Sequence, residues 1–358
     1  AWELDVWGKF RRSVESTAAN LEASIAGYDD FLVSLTAETA RTYIVIRTLE
    51  QRLDIARDNV RIQKRSLQIV RARFEGGDVS ELDVAQAKSL LGDTQASIPA
   101  LERGLRQAKN ALAILLGVLP SEVDSLLAGT PQIPNVTTEV IVDIPADLLR
   151  RRPDIRLAEL RVATQSPQIG IAKSDLYPHF FLFGTIGWQA TDARKLVGPD
   201  SSLSDLFSSK SLYYTAGPGF SWDFLNYGRI RNRVRVEDAR FEQTVVSYKN
   251  TVLSAWQEVE DALGGFLRSR EEAQFLLESV TASKRSVDIS LLQYREGLVD
   301  VQRVLDTQRF LTLQSDRWTA VKGSVATNLV AMYKAMGGGW QIRAGQDFIA
   351  PTVREEMV

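Results

Sequence analysis

The chain has no cysteine and a single histidine, His179. Those two scarcities exclude disulfides, thiol chemistry and a histidine-rich metal site within these 358 residues. Lack of cysteine also suits an oxidising compartment. No apolar run approaches the roughly 20 residues that a membrane-spanning helix needs, so any contact with lipid must use another device. Neither sign of charge dominates, since 43 Lys and Arg stand against 45 Asp and Glu. With no long single-sign run either, nucleic acid is disfavoured as a partner. No nucleotide-binding loop, metal-ligand cluster or nucleophile with a positioned base is present, so the sequence reads as a non-enzyme without cofactor or metal. Proline is missing from Ala1 to Ile98 and again from Gly219 to Ala350. Because proline breaks interior helix hydrogen bonding, both stretches predict very long helices.

What the sequence does contain is one unit twice. Residues 2–15, WELDVWGKFRRSVE, return 220 positions later as WDFLNYGRIRNRVR, and the offset holds without a gap to Gly117 and Gly337. Trp2 matches Trp222, Tyr28 matches Tyr248, and Gly77, Val79 and Val84 meet Gly297, Val299 and Val304. Gap-free drift fits long elements of fixed length that must stay in register. The second copy has a leading section, Pro145 to Ser221, that the first lacks, which predicts on the order of 75 further residues ahead of Ala1. A signal peptide or lipid-anchored cysteine would lie there.

Within each copy apolar residues recur at a step of seven. Ile25, Leu32, Ile46, Leu53, Val60, Leu67 and Phe74 do so in the first, and Val245, Val252, Val259, Phe266, Ala273, Val280, Val287 and Tyr294 in the second. That step favours left-handed coiled packing. From Gly8 to Glu75 such a helix would run about 100 Å. Each long helix ends at glycine, and a shorter helix returns, so each copy predicts an antiparallel hairpin with a tight tip. Pro99 predicts a kink in the first returning helix. Gly117 to Ile144 reads as irregular connection, and Pro145 starts a helix that runs, with a break near Pro167, to about Asp175.

Two strands are predicted next. In Tyr213 to Leu225, Tyr214, Ala216, Pro218, Phe220, Trp222 and Phe224 alternate with smaller or polar residues. Leu182, Ile186 and Trp188 oppose Thr185, Gly187 and Gln189 in Leu176 to Ala190. Strands of about 10 residues with one aromatic face and one polar face, joined by a long polar loop, carry the pattern of a membrane β-barrel. Two strands per copy are too few to close one, and an open edge cannot sit in lipid, so several chains would contribute.

Ala1-Trp2-Glu3-Leu4-Asp5-Val6-Trp7-Gly8, the run Pro145-Ala146-Asp147-Leu148-Leu149-Arg150-Arg151-Arg152-Pro153-Asp154-Ile155, the tip Gly297-Leu298-Val299-Asp300 with Val304-Leu305-Asp306-Thr307-Gln308-Arg309, and Gly337-Gly338-Gly339-Trp340 together carry a resemblance. The chain resembles the TolC-like outer-membrane factors of tripartite efflux pumps, in particular the NodT-type lipoproteins. The resemblance implies a mainly helical homotrimer. Its long antiparallel hairpins would form a periplasmic α-barrel, continuous with a twelve-stranded outer-membrane β-barrel shared by the chains. It also implies a periplasmic adaptor and an inner-membrane proton-driven transporter as partners. The location would be the outer membrane of a Gram-negative bacterium, with a lipid anchor ahead of this segment.

On that basis residues 1–7 would end a barrel strand, 8–117 and 226–337 would be the two hairpins, 118–175 an equatorial connection and helix, 176–225 the second strand pair and 338–358 an equatorial tail. The resemblance makes Asp306 a ring-forming gate carboxylate, with Arg309 one turn on. Family members often carry a second acid where Arg303 stands, and some close the pore with a leucine where Gln302 stands. Tyr294 matches a tyrosine used in closed-state bonding, while the arginine expected five residues further on is Val299. The tips, Gly76, Gly77, Asp78, Val79 and Ser80 with Gly297, Leu298, Val299 and Asp300, would dock the adaptor. Trp2, Trp188 and Trp222 would anchor at the membrane interface. Two alternatives remain at this stage: the same duct serving protein secretion or metal export, and a soluble coiled-coil scaffold, which explains the heptads but not the alternating aromatic strands.

Overall fold

In the computed structural model, which describes residues 1–129, 131–136, 151–189, 207, 209 and 211–343, the proline-free stretches form the predicted helices. The order is β1 (Trp2–Glu3), α1 (Lys9–Glu75), α2 (Glu81–Leu116), α3 (Val123–Leu126), α4 (Pro153–Ser174), β2 (His179–Trp188), β3 (Leu212–Ser221), α5 (Tyr227–Arg295) and α6 (Val301–Ala335). A 3-10 turn, Phe224–Asn226, leads into α5, and another, Trp340–Arg343, follows α6. The chain divides into two compact units, one of residues 1–27 and 154–251, the other of residues 28–153 and 252–358.

The first unit holds the sheet. β2 pairs antiparallel with β3 along its whole length, from His179 opposite Ser221 to Trp188 opposite Leu212, and β1 adds to the other side of β2 through Leu182 and Phe181. This register puts Phe180 beside Phe220, Leu182 beside Pro218, Ile186 beside Tyr214 and Trp188 beside Leu212. One face is therefore uniformly apolar, as the alternation predicted. On the other face Gly219 leaves the space that the Phe181 ring fills, since a Cβ there would stand 2.6 Å from that ring. Some boundaries differ from the sequence reading. Pairing starts at His179 and ends at Ser221, and at the amino end it covers only Trp2 and Glu3. Asp5 explains the early end, because its carboxylate accepts from the Phe10 and Arg11 amides at 3.0 Å each and turns the chain into α1. α4 runs through Pro167 without the predicted break. Proline there removes one donor but leaves the bonds on either side.

The second unit holds most of both hairpins. The heptad positions Ile46, Leu53, Val60 and Leu67 of α1, and Val259, Phe266, Val287 and Tyr294 of α5, are all buried. Near the tips both hairpins share one core, in which Val60, Leu67, Val70, Leu90 and Leu91 meet Tyr294, Val301, Val304 and Leu305. α2 is continuous through Pro99 and closes at Gly117, whose φ of 66° supplies the left-handed cap. The start of the arginine-rich run at Pro145, the linker 191–206 and the tail beyond Arg343 lie outside the described residues.

Candidate functional site

Both tips turn by the same backbone device. Gly77 and Gly297 take φ of 82° and 72°, a conformation that side chains other than glycine adopt only with strain. Around them Gly77 N donates to Phe74 O at 3.0 Å and Asp78 N to Arg73 O at 2.9 Å, while Gly297 N donates to Tyr294 O at 3.1 Å and Leu298 N to Gln293 O at 2.9 Å. A Cβ on either glycine would meet nothing within 4 Å, so backbone angle alone selects glycine. The returning helices start differently. Ser80 and Asp83 form a reciprocal capping box at α2, whereas Asp300 makes no side-chain cap at α6. Leu298 is 72% exposed at the second tip.

From that uncapped start, α6 presents two faces. Val301, Val304, Leu305 and Gln308 are buried, while Gln302, Arg303, Asp306 and Arg309 are exposed, spaced at three and four residues along a single stripe. The Asp306 carboxylate accepts from Gln302 Nε2 at 3.1 Å and from Arg309 NH1 at 3.4 Å. Four of the five expected gate residues thus lie together. The fifth does not join them: Tyr294 is 3% exposed and packs inside the tip core. Burial pushes its phenol above the ordinary value, and the Arg73 cation opposes that rise. Sequence reading missed Arg73, although the repeat holds a signal. Its counterpart in the second copy is Gln293, so the two tips differ at that position.

The three expected interface tryptophans sit in the first unit and are 65%, 54% and 48% exposed at Trp2, Trp188 and Trp222. Trp222 Nε1 donates to the Leu176 carbonyl at 3.1 Å. Trp7 also stacks on Tyr177 with centroids 4.5 Å apart. His179 is held by Glu3 at 2.9 Å and lies 3.7 Å from Asp175, which in turn pairs with Lys9 at 3.0 Å. These contacts place His179 in a polar cluster with Glu3, Asp175 and Lys9 at the start of β2. Among the described residues no helix is long and apolar enough to cross a membrane, and no group of acids and histidines could hold a metal ion.

Long heptad hairpins with glycine tips, joined to a sheet whose exposed face is aromatic and aliphatic, define a channel-forming protein of the outer-membrane exit-duct class. Residues 1–118 and 144–338 match the family described as outer membrane efflux protein, and the chain belongs to that family. It is 31% identical over 343 residues to the pyoverdine export outer membrane protein OpmQ of Pseudomonas putida, covering 95% of this chain and 70% of the relative. With nodulation protein T of Rhizobium leguminosarum bv. viciae the identity is 32% over 340 residues, covering 95% and 68%. The solved outer-membrane channel OprN superposes with a TM-score of 0.87 at 33% identity, over 95% of this chain and 74% of that one. The protein is an outer-membrane efflux channel of a Gram-negative bacterium, in a family of trimeric channels that work with an adaptor and an inner-membrane transporter.

Proposed function

We propose that the chain acts as a passive exit duct without catalytic activity of its own, closed at the hairpin tips by the exposed stripe of α6. The observation that carries this reading is the co-location of Gln302, Arg303, Asp306 and Arg309 on one exposed face, beginning at the tip. Brought to a three-fold axis, Asp306 carboxylates would repel one another, attract cations and resist closure unless a cation stood beside them. Arg309 supplies that cation on the same helix, and Arg303 stands where a second acid would strengthen the repulsion. In one isolated chain the Asp306 and Arg309 pair is worth only a few tenths of a kcal/mol, so the function depends on assembly. The glycine tips turn the chain whatever else they do, and the exposed Leu298 beside Gly297 gives them a surface for the adaptor. The division into barrel strands, equatorial connection and hairpins belongs to the same proposal. The transporter selects the cargo, which we take to be small solutes, since a wide duct has little means of discrimination.

The test is single-channel conductance of the full-length protein in planar bilayers. Asp306→Ala, alone and with Arg309→Ala, is expected to raise resting conductance and antibiotic uptake. Unchanged conductance in both variants would remove the gate from α6.

A further inference from the structure

The two tips are copies of one backbone turn, yet they carry different side chains in the last turn of their first helices. The first copy has Arg73-Phe74 and the second Gln293-Tyr294. Both aromatic residues occupy the final heptad position, but Phe74 is 43% exposed and Tyr294 only 3%. Tyr294 packs in the tip core, and over its ring stands Arg73, which reaches from the first hairpin to the second. Its guanidinium carbon lies 4.6 Å from the centroid of the Tyr294 ring. Its NH2 donates to the Arg295 carbonyl at 3.1 Å. That carbonyl ends α5, where main-chain oxygens lack a helical partner and a positive charge is favoured. The reverse contact has no equivalent, because Gln293 carries no charge to place over Phe74. The Tyr294 hydroxyl, meanwhile, is buried with no hydrogen-bond partner. A buried hydroxyl left unpaired costs free energy and contributes none to closure.

We propose that Arg73 is the positioning residue that holds the second tip against the first, acting through the face of the Tyr294 ring and the Arg295 carbonyl and not through the tyrosine hydroxyl. α6 begins just past Arg295, so fixing that carbonyl fixes the first turn of the stripe that carries Asp306. The latch is one-sided: the first copy supplies the cation and the second the ring. Cation–π contact and a charge-assisted hydrogen bond act at the same guanidinium, half-buried beside an apolar core where each is stronger than in open water. This inference rests on the gate reading above, and its test keeps the two apart.

Resting conductance of full-length protein in planar bilayers is compared for Arg73→Gln, Arg73→Lys, Tyr294→Phe, Tyr294→Leu and, as reference, Asp306→Ala. Arg73→Gln and Tyr294→Leu are expected to raise it about threefold or more. Tyr294→Phe keeps the ring and stays at the native level, while Arg73→Lys keeps a cation but not the planar fork that serves both contacts, so it leaks less than Arg73→Gln. Thermal midpoints of the same preparations show that each variant remains assembled. If Tyr294→Phe leaks as much as Tyr294→Leu, or Arg73→Lys as much as Arg73→Gln, the proposed contact is wrong. A tight Arg73→Gln beside a leaky Asp306→Ala overturns the latch and leaves the gate standing. If all five variants stay tight, the gate reading falls and the latch with it.

Discussion

Arg152 shows what a single buried arginine does in a long helical frame. It is 6% exposed, donates from NH1 to the Ala335 carbonyl at 2.8 Å and from NH2 to Glu258 at 2.7 Å. One planar fork thereby ties the end of α6 to the middle of α5. Gly337, at φ 73°, passes so close that a Cβ would stand 3.2 Å from the Arg152 Cα. Arg152→Met keeps the stem and loses these two bonds among its polar contacts. More than half of the Glu258 side chain is exposed, so that carboxylate returns to water at little cost, whereas the Ala335 carbonyl is left without its donor. The expected destabilisation is about 2 kcal/mol, read as a lower thermal midpoint with channel selectivity unchanged. In the sequence the arginines of this run serve only the family resemblance, and nothing local names what they pair with. Glu258 was not legible as the partner of Arg152, because it lies over a hundred positions away on another helix.

At the scale of elements, the packing between hairpins combines an apolar heptad seam with a few polar crossings. Arg52 of α1 forks onto Asp316 of α6 at 2.7 and 2.8 Å, and Gln308 Nε2 donates to Ser66 Oγ at 2.6 Å. Further from the tips, Gly323 of α6 lies directly against Thr48 of α1, close enough that a Cβ would collide with the threonine side chain. Thr48 is β-branched and its hydroxyl already donates to Ile44 O at 2.8 Å, so it has no easy rotamer to retreat to. Gly323→Ala is therefore expected to destabilise the bundle by about 1–3 kcal/mol, even though alanine raises helix propensity. Gly92→Ala, where a Cβ would meet nothing within 4 Å, should be neutral or stabilising. Thermal melts of the two variants side by side check this. The hairpins themselves were legible in the sequence, because a step of seven and the absence of proline are local properties. The Gly323 contact was not, since it depends on which helix lies opposite. Nor was the continuity of α4 through Pro167, where the surrounding helix outlasts the loss of one donor.

At the scale of the whole molecule, the deciding question is which solvent the sheet faces. Ile186 is 74% exposed, Tyr214 76% and Phe220 70%, all on one face of β2 and β3. On a water-soluble scaffold such residues would be a liability, and replacing one with arginine would be harmless or helpful. In lipid the same replacement puts a charge into hydrocarbon, at a cost that reaches about 2–4 kcal/mol at the bilayer midplane and falls toward the interface, the side on which Trp188 follows Ile186. Two ten-residue strands, His179–Trp188 and Leu212–Ser221, have the length that a tilted membrane strand requires, and their outer edges need other chains to close. Ile186→Arg should therefore reduce the yield of heat-resistant trimer in the outer membrane, whereas Thr215→Arg, pointing to the opposite face, should leave assembly intact and change only conductance. The paired comparison separates the two solvents. Equal tolerance of both arginines would mean that water bathes the apolar face, and the protein would then have to reach the membrane by something other than these strands.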